Sequence, residues 1–216
     1  MRLLISDKGE LGVATGERCK EEGAHFGFFD NERNAPHCDV GVYVGRGRRF
    51  NDFISFCERH RIPMLQCSSD VDLRFRLARP ALPVANVPNA SEAVYQFTRQ
   101  VKALAGELSK KAIPVTWKLS ESHQRTKTSP PATALHIAEL LGIPPEKFHS
   151  VRRRSDRHSK HMITAIVGGG DERYRLECEV WGLEPYARGI LKIARGFVSN
   201  GVPRRDGIYT LDDFPW

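Results

Sequence analysis

Over the first 87 residues, short apolar runs alternate with helix-spaced segments, and nothing else in the chain restricts its fold as strongly. Arg2–Ile5, Ala24–Phe29, Cys38–Val44, Pro63–Gln66 and Pro83–Ala85 read as strands. Residues 11–22 and 50–60 read as helices, the second with Phe50, Phe53, Ile54 and Cys57 at helical spacing. Strand and helix in turn imply a parallel sheet with crossover helices, an α/β fold of the Rossmann-like kind. Ligands are then expected beyond the carboxyl ends of the strands.

The pattern changes at Asn86–Ser91. Ser91 is predicted to cap an amphipathic helix over residues 92–108, with Ala93, Val94, Phe97, Val101, Leu104 and Leu108 on one face. A strand over Ile113–Leu119 and a helix over Thr133–Leu141, ended by Gly142, follow. Met162–Val167 and Tyr174–Val180 read as a hairpin around Gly168–Asp171. Residues 186–198 read as a helix, with Gly207–Phe214 as a closing tail. Two domains are expected: residues 1–87 completed by 184–216, and an inserted α+β domain over 88–183.

Composition excludes several classes. No run approaches the roughly 18 uncharged apolar residues of a membrane span, and Met1–Asp7 reads as a strand and not a secretory signal. A cytoplasmic protein is the expectation. Five cysteines with no CxxC spacing suit reduced thiols used as small core residues, not a disulfide framework or a zinc site, so no metal is expected. The net charge of +7 is concentrated in the run from Arg152 to His161. That run reads either as a solvated loop or as a pocket for a small anion. No helix-turn-helix, zinc-finger spacing or aromatic-interleaved RNA motif accompanies it, and nucleic acid is not an expected partner.

Chemistry concentrates in Glu121-Ser-His123-Gln124-Arg125-Thr-Lys127-Thr-Ser129-Pro130-Pro131-Ala132-Thr133-Ala134, read as a loop between a strand and a helix. A His and a Lys four apart, beside free N–H groups at a helix N-terminus, can grip a carboxylate and deliver a proton next to it. A purely structural loop is the plain alternative. The segment resembles the Glu-x-His-His-x-x-Lys-x-Asp-x-Pro-Ser-Gly-Thr-Ala block of 4-hydroxy-tetrahydrodipicolinate (dihydrodipicolinate) reductases. Glu121, His123, Lys127, Pro130, Thr133 and Ala134 match it, whereas Gln124, Ser129 and Pro131-Ala132 depart from it and the loop is one residue shorter. Arg153, Asp156 and His161 resemble a second stretch of that family, and Tyr186–Ala194 and Gly207–Phe214 its last helix and closing segment.

The resemblance implies catalytic roles for His123 and Lys127. It implies substrate contacts from Thr133, Ala132, Gln124, Arg153 and His161, and a homotetramer built on the middle domain's sheet. It further implies a nicotinamide cofactor, NADH or NADPH, bound at the first turn. There the family has Gly-x-x-Gly-x-Met-Gly, and this chain has Ser6-Asp7-Lys8-Gly9-Glu10-Leu11-Gly12. Gly9 and Gly12 remain, but Asp7 and Glu10 beside a dianionic pyrophosphate each cost about 1 kcal/mol if exposed. Asp30 stands where an acid holds the adenosine ribose, which favours NADH, while Arg33 suits a 2′-phosphate. Gly45, Arg46, Arg48 and Arg49 form either a new phosphate site or a solvated loop.

Two functions follow. One is reduction of a cyclic imine dicarboxylate in lysine and diaminopimelate synthesis. The other is a paralogue with the same fold that has lost the dinucleotide and acts without redox chemistry or as a small-anion binder.

Overall fold

The computed structural model describes residues 1–31, 37–69, 71, 80–127, 130–154, 157–199 and 205–214. Arg33, Ser129 and Asp156 lie outside them. The chain divides into two compact units, Met1–Glu92 joined by Leu183–Trp216, and Ala93–Gly182.

The first unit opens β1 (Arg2–Ile5), α1 (Glu10–Glu21), β2 (His25–Phe28), β3 (Val40–Tyr43), α2 (Phe50–Arg59), β4 (Met64–Gln66) and β5 (Pro83–Asn86). The second comprises α3 (Glu92–Lys110, its first residue belonging to the first unit), β6 (Val115–Gln124), α4 (Ala132–Leu141), β7 (His149–Arg153), β8 (Arg157–Val167) and β9 (Glu172–Trp181). The chain then returns to the first unit with α5 (Glu184–Val198) and β10 (Gly207–Tyr209).

Six parallel strands in the order β10-β5-β4-β3-β1-β2 make the first sheet. Its inner strands are mostly apolar because both faces are covered, with Arg2, Gln66 and Asn86 at strand ends. Leu3, Ile5, Val40 and Val42 pack with Ile190, Leu191, Ile193 and Phe197 of α5. Leu4, Tyr43 and Met64 pack on the other face with Phe50, Phe53, Phe56 and Cys57 of α2. The expected α/β class is therefore present. All five cysteines are free and buried. Burial raises the Cys19 and Cys178 thiols to about 11 and Cys38 to about 12, and pushes Cys57 and Cys67 up further. A thiolate is the reactive form, so a disulfide reagent at mildly alkaline pH is expected to modify five thiols in denaturant and none in the native protein. A fast native phase would contradict this packing.

The second unit carries a mixed sheet in the order β7-β6-β8-β9. β8 and β9 form the expected antiparallel hairpin. Gly168, Gly169 and Gly170 between them hold φ of 62°, 82° and 128°, values that side chains with a Cβ rarely adopt.

Four expectations need correction. The Ser91 side chain does not cap α3; its hydroxyl oxygen is buried without a hydrogen-bond partner. The strand predicted to stop at Leu119 runs to Gln124, so Glu121 and His123 are strand residues and not loop residues. His149–Arg153 is a strand that apolar patterning did not mark, parallel to β6. The basic run is consequently not one solvated loop. Arg152 and Arg153 end β7, and His158, Lys160 and His161 lie on β8.

Candidate functional site

In the first unit, the turn after β1 has filled its own anion position. Gly9 is the N-cap of α1, and its N–H donates to Asp7 Oδ1 at 2.8 Å. A helix N-terminus attracts anions through its unpaired N–H groups and its dipole, and here the first of those donors is spent on Asp7. Gly12 is needed for close approach: a Cβ there would lie 2.2 Å from the Asp7 carbonyl oxygen. Ser6, which stands for the first family glycine, ties strand ends together by accepting the Val44 N–H at 3.0 Å.

Beside this turn, at the carboxyl ends of β1 and β3, lies a cavity of about 590 Å³ lined by Ser6, Asp7, Tyr43, Gly45, Arg46, Arg48 and Arg49. The Tyr43 hydroxyl accepts the Gly47 N–H at 2.8 Å and fixes the start of the arginine loop. The three arginines are thus cavity-lining side chains. Asp30 is exposed just beyond β2, and its carbonyl accepts a hydrogen bond from Arg49.

The second unit gathers a different set. Side chains alternate along a strand, so Glu121 and His123 share one face of β6. The antiparallel register sets His161 of β8 opposite Glu121, and the parallel register sets Ser150 and Arg152 of β7 opposite Glu121 and His123. Glu121, His123 and His161 are all buried. Glu121 Oε1 lies 3.6 Å from His123 Nε2 and 3.6 Å from Arg152 Nη1, and Oε2 lies 3.5 Å from His161 Nδ1. The Ser150 hydroxyl donates to Oε1 at 3.3 Å, and the Ala134 N–H at the start of α4 faces the same carboxylate.

A carbonyl oxygen only accepts, so the 3.0 Å contact from His123 Nδ1 to the His158 carbonyl places the ring proton on Nδ1. Burial first, and the Lys127 ammonium second, push His123 down to about 2 and His161 to about 4. Burial raises the Glu121 carboxyl, against the pull of Lys127 and Arg152. Both imidazoles are therefore neutral near neutral pH.

Lys127 follows β6 after a tight turn, its N–H donating to the Gln124 carbonyl at 3.1 Å while its own carbonyl accepts from Arg152 Nε at 3.3 Å. Ala132 and Thr133 open α4, with Thr133 buried and Ala132 half-buried. Gln124 ends β6 opposite Arg153. Arg153 is exposed and is not brought to the cluster; strand parity gives that place to Arg152, which sequence reasoning passed over together with Ser150 and His158. The spacing of Glu121 and His123, two apart, was the available signal once that stretch is read as a strand.

No protein-family model matches the chain, and no curated protein matches it in sequence. In structure it is similar to dipicolinate-bound dihydrodipicolinate reductase from Paenisporosarcina sp. TG-14, with a TM-score of 0.70, 12% identity and 97% of each chain covered. The chain has the fold of dihydrodipicolinate reductase. DAP dehydrogenase of C. glutamicum in complex with DAP gives a TM-score of 0.53 at 10% identity, over 100% of this chain and 94% of that one. Apo scyllo-inositol dehydrogenase from Lactobacillus casei gives 0.52 at 10% identity, over 92% and 87%. The likeness to the dihydrodipicolinate reductase structure takes in both units. Among the described residues, no helix is long and apolar enough to cross a membrane.

Proposed function

We propose that the chain is a reductase of the dihydrodipicolinate reductase type, acting on a cyclic imine dicarboxylate of lysine and diaminopimelate synthesis in the cytoplasm. The observation that carries this reading is the junction of β6 and α4. Glu121, His123, Lys127 and Thr133 stand there in the family's order, in a chain whose fold matches that of a dipicolinate-bound reductase. A reduced nicotinamide supplies the hydride when bound. One substrate carboxylate lies at the N-terminus of α4 beside Thr133, where the helix dipole favours an anion. The imine nitrogen gains an electron pair as its carbon is reduced, and the Lys127 ammonium gives it the proton. His123, whose one proton is held by the His158 carbonyl, positions this end of the site. Edge strand β9 carries exposed Tyr174 and Trp181, which suits the proposed homotetramer.

A dinucleotide's phosphates fit the arginine-lined cavity, and Asp7 opposes them at the turn. Asp7 is the specific observation that favours the second reading, a non-redox paralogue or small-anion binder. Calorimetric titration separates the two. The reductase reading expects NADH to bind more tightly than NADPH, Asp30→Ala to narrow that difference, and Asp7→Asn to tighten both by about fivefold, the equivalent of roughly 1 kcal/mol. Binding of dipicolinate with no binding of either dinucleotide at millimolar concentration moves the conclusion to the second reading.

A further inference from the structure

We propose that Glu121, His123 and His161 bind one divalent transition-metal ion such as zinc. This site lies within the second unit and its test uses no nicotinamide, so it stands or falls apart from the reductase reading.

The donor set comes first. Two imidazole nitrogens and a carboxylate, all buried, offer ligand atoms that lie within 4.8 Å of one another. Histidine with a carboxylate suits zinc, cobalt or iron, whereas calcium and magnesium take oxygen ligands. No described cysteine joins the group, so the soft copper(I) ion has no advantage there.

Distances come second. Bonds of about 2.1 Å in a tetrahedral zinc site put neighbouring ligand atoms about 3.4 Å apart. The two carboxylate–imidazole separations are 3.6 Å and 3.5 Å. Both exceed the usual hydrogen-bond range, which for nitrogen and oxygen ends near ~3.2 Å. Each carboxylate oxygen faces one imidazole nitrogen across a gap that a hydrogen bond does not close and a metal ion spans.

Protonation comes third. With the His123 proton on Nδ1, its Nε2 presents a lone pair toward Glu121 Oε1. Two acceptors face each other, an arrangement that a bound cation converts from repulsive to attractive. The Nδ1–H donation to a backbone carbonyl is also how metal-binding histidines are ordinarily oriented. Fourth, Glu121 Oε2 and His161 Nδ1 have no hydrogen-bond partner although their residues are 2% and 1% exposed. Buried polar atoms are rarely left so, and these two point at each other.

Arg152 Nη1 sits 3.6 Å from Oε1, and the Lys127 ammonium acts on all three ligands. Their positive charge weakens the site without occupying Oε2 or the imidazole lone pairs. Three protein ligands leave an open coordination position, as in catalytic zinc sites.

The test is metal stoichiometry on the intact chain. Protein stripped with a chelator is loaded with Zn²⁺ or Co²⁺, passed over a desalting column and assayed for metal, with affinity taken from calorimetry. One ion per chain is expected, and cobalt should give the intense visible bands of a low-symmetry four-coordinate site. Glu121→Gln and His161→Ala should each weaken binding by on the order of 10²-fold, while His136→Ala, an exposed histidine on α4, should not. X-ray absorption of the zinc-loaded wild type, which needs no variant to fold, should show imidazole and carboxylate ligands. The proposal is overturned if the stripped wild type takes up no stoichiometric ion. Retention that is indifferent to Glu121→Gln and His161→Ala, or an absorption spectrum without imidazole ligands, overturns it as well.

Discussion

Replacing Lys127 with alanine is expected to lower kcat by about 10²–10⁴-fold, the contribution of a positioned proton donor, while leaving the fold intact. The reason is the state of its neighbours. His123 and His161 are neutral, and the single proton of His123 is committed to the His158 carbonyl. Burial first and the Lys127 ammonium second hold both imidazoles down, and Lys127 is half-buried just beyond β6. Charge builds on the substrate nitrogen only as the imine is reduced. A donor to that nitrogen therefore acts in the transition state and changes kcat, whereas a group that only holds the carboxylate changes KM. Thr133→Val is expected to raise KM with little change in kcat. His123→Gln should lower kcat by at least about 10²-fold, because it removes an imidazole whose orientation the His158 carbonyl fixes. Steady-state kinetics on variants whose circular dichroism matches the wild type checks all three. Near-normal kcat in both Lys127→Ala and His123→Gln would show that the site is assigned to the wrong residues.

Phe53→Ala is expected to destabilise the first unit by about 3–5 kcal/mol, the cost of truncating a buried phenylalanine and leaving a cavity. Phe53 is fully buried and meets the Phe29 ring edge-on at 5.3 Å and the Tyr43 ring at 5.8 Å. Tyr43 in turn accepts the Gly47 N–H, so this packing reaches the loop that carries Arg46, Arg48 and Arg49. Thermal unfolding should move down by more than about 10 °C, and anion affinity at the arginine cavity should fall with it. A shift of only a degree or two would mean that the α2 face of the sheet is not packed as described.

The parallel sheet was legible because its strands are short apolar runs covered on both faces, as Leu3-Leu4-Ile5 and Val40–Tyr43 illustrate. Helices α1 to α5 were legible from apolar spacing and, for α4, from Gly142 at its end, with φ of 64°. The last half of β6 and all of β7 were not. Ser120-Glu121-Ser122-His123-Gln124 and His149–Arg153 are polar, and what makes them strands is pairing with partners distant in sequence. Reading Glu121–Gln124 as a loop concealed that Glu121 and His123 share a face. Register also decides that Arg152 and not Arg153 meets Glu121, and one residue of slip reverses that choice. The Glu121–His123–His161 cluster was hidden for the same reason, since no local metal-ligand spacing joins His161 to residues on another strand. At the first turn the sequence displayed Asp7 as a charge beside a phosphate. That its carboxylate instead takes the Gly9 N–H depends on local backbone geometry which composition does not carry.

The reductase reading is tested most directly by one measurement on the unmodified protein. 4-Hydroxy-tetrahydrodipicolinate, generated in place from its precursors, is supplied with NADH or NADPH, and the loss of reduced-nicotinamide absorbance is followed with and without dipicolinate. The account predicts turnover with at least one of the two dinucleotides, inhibition by dipicolinate, and loss of the signal in Lys127→Ala. A protein that binds dipicolinate yet never oxidises either reduced nicotinamide contradicts it.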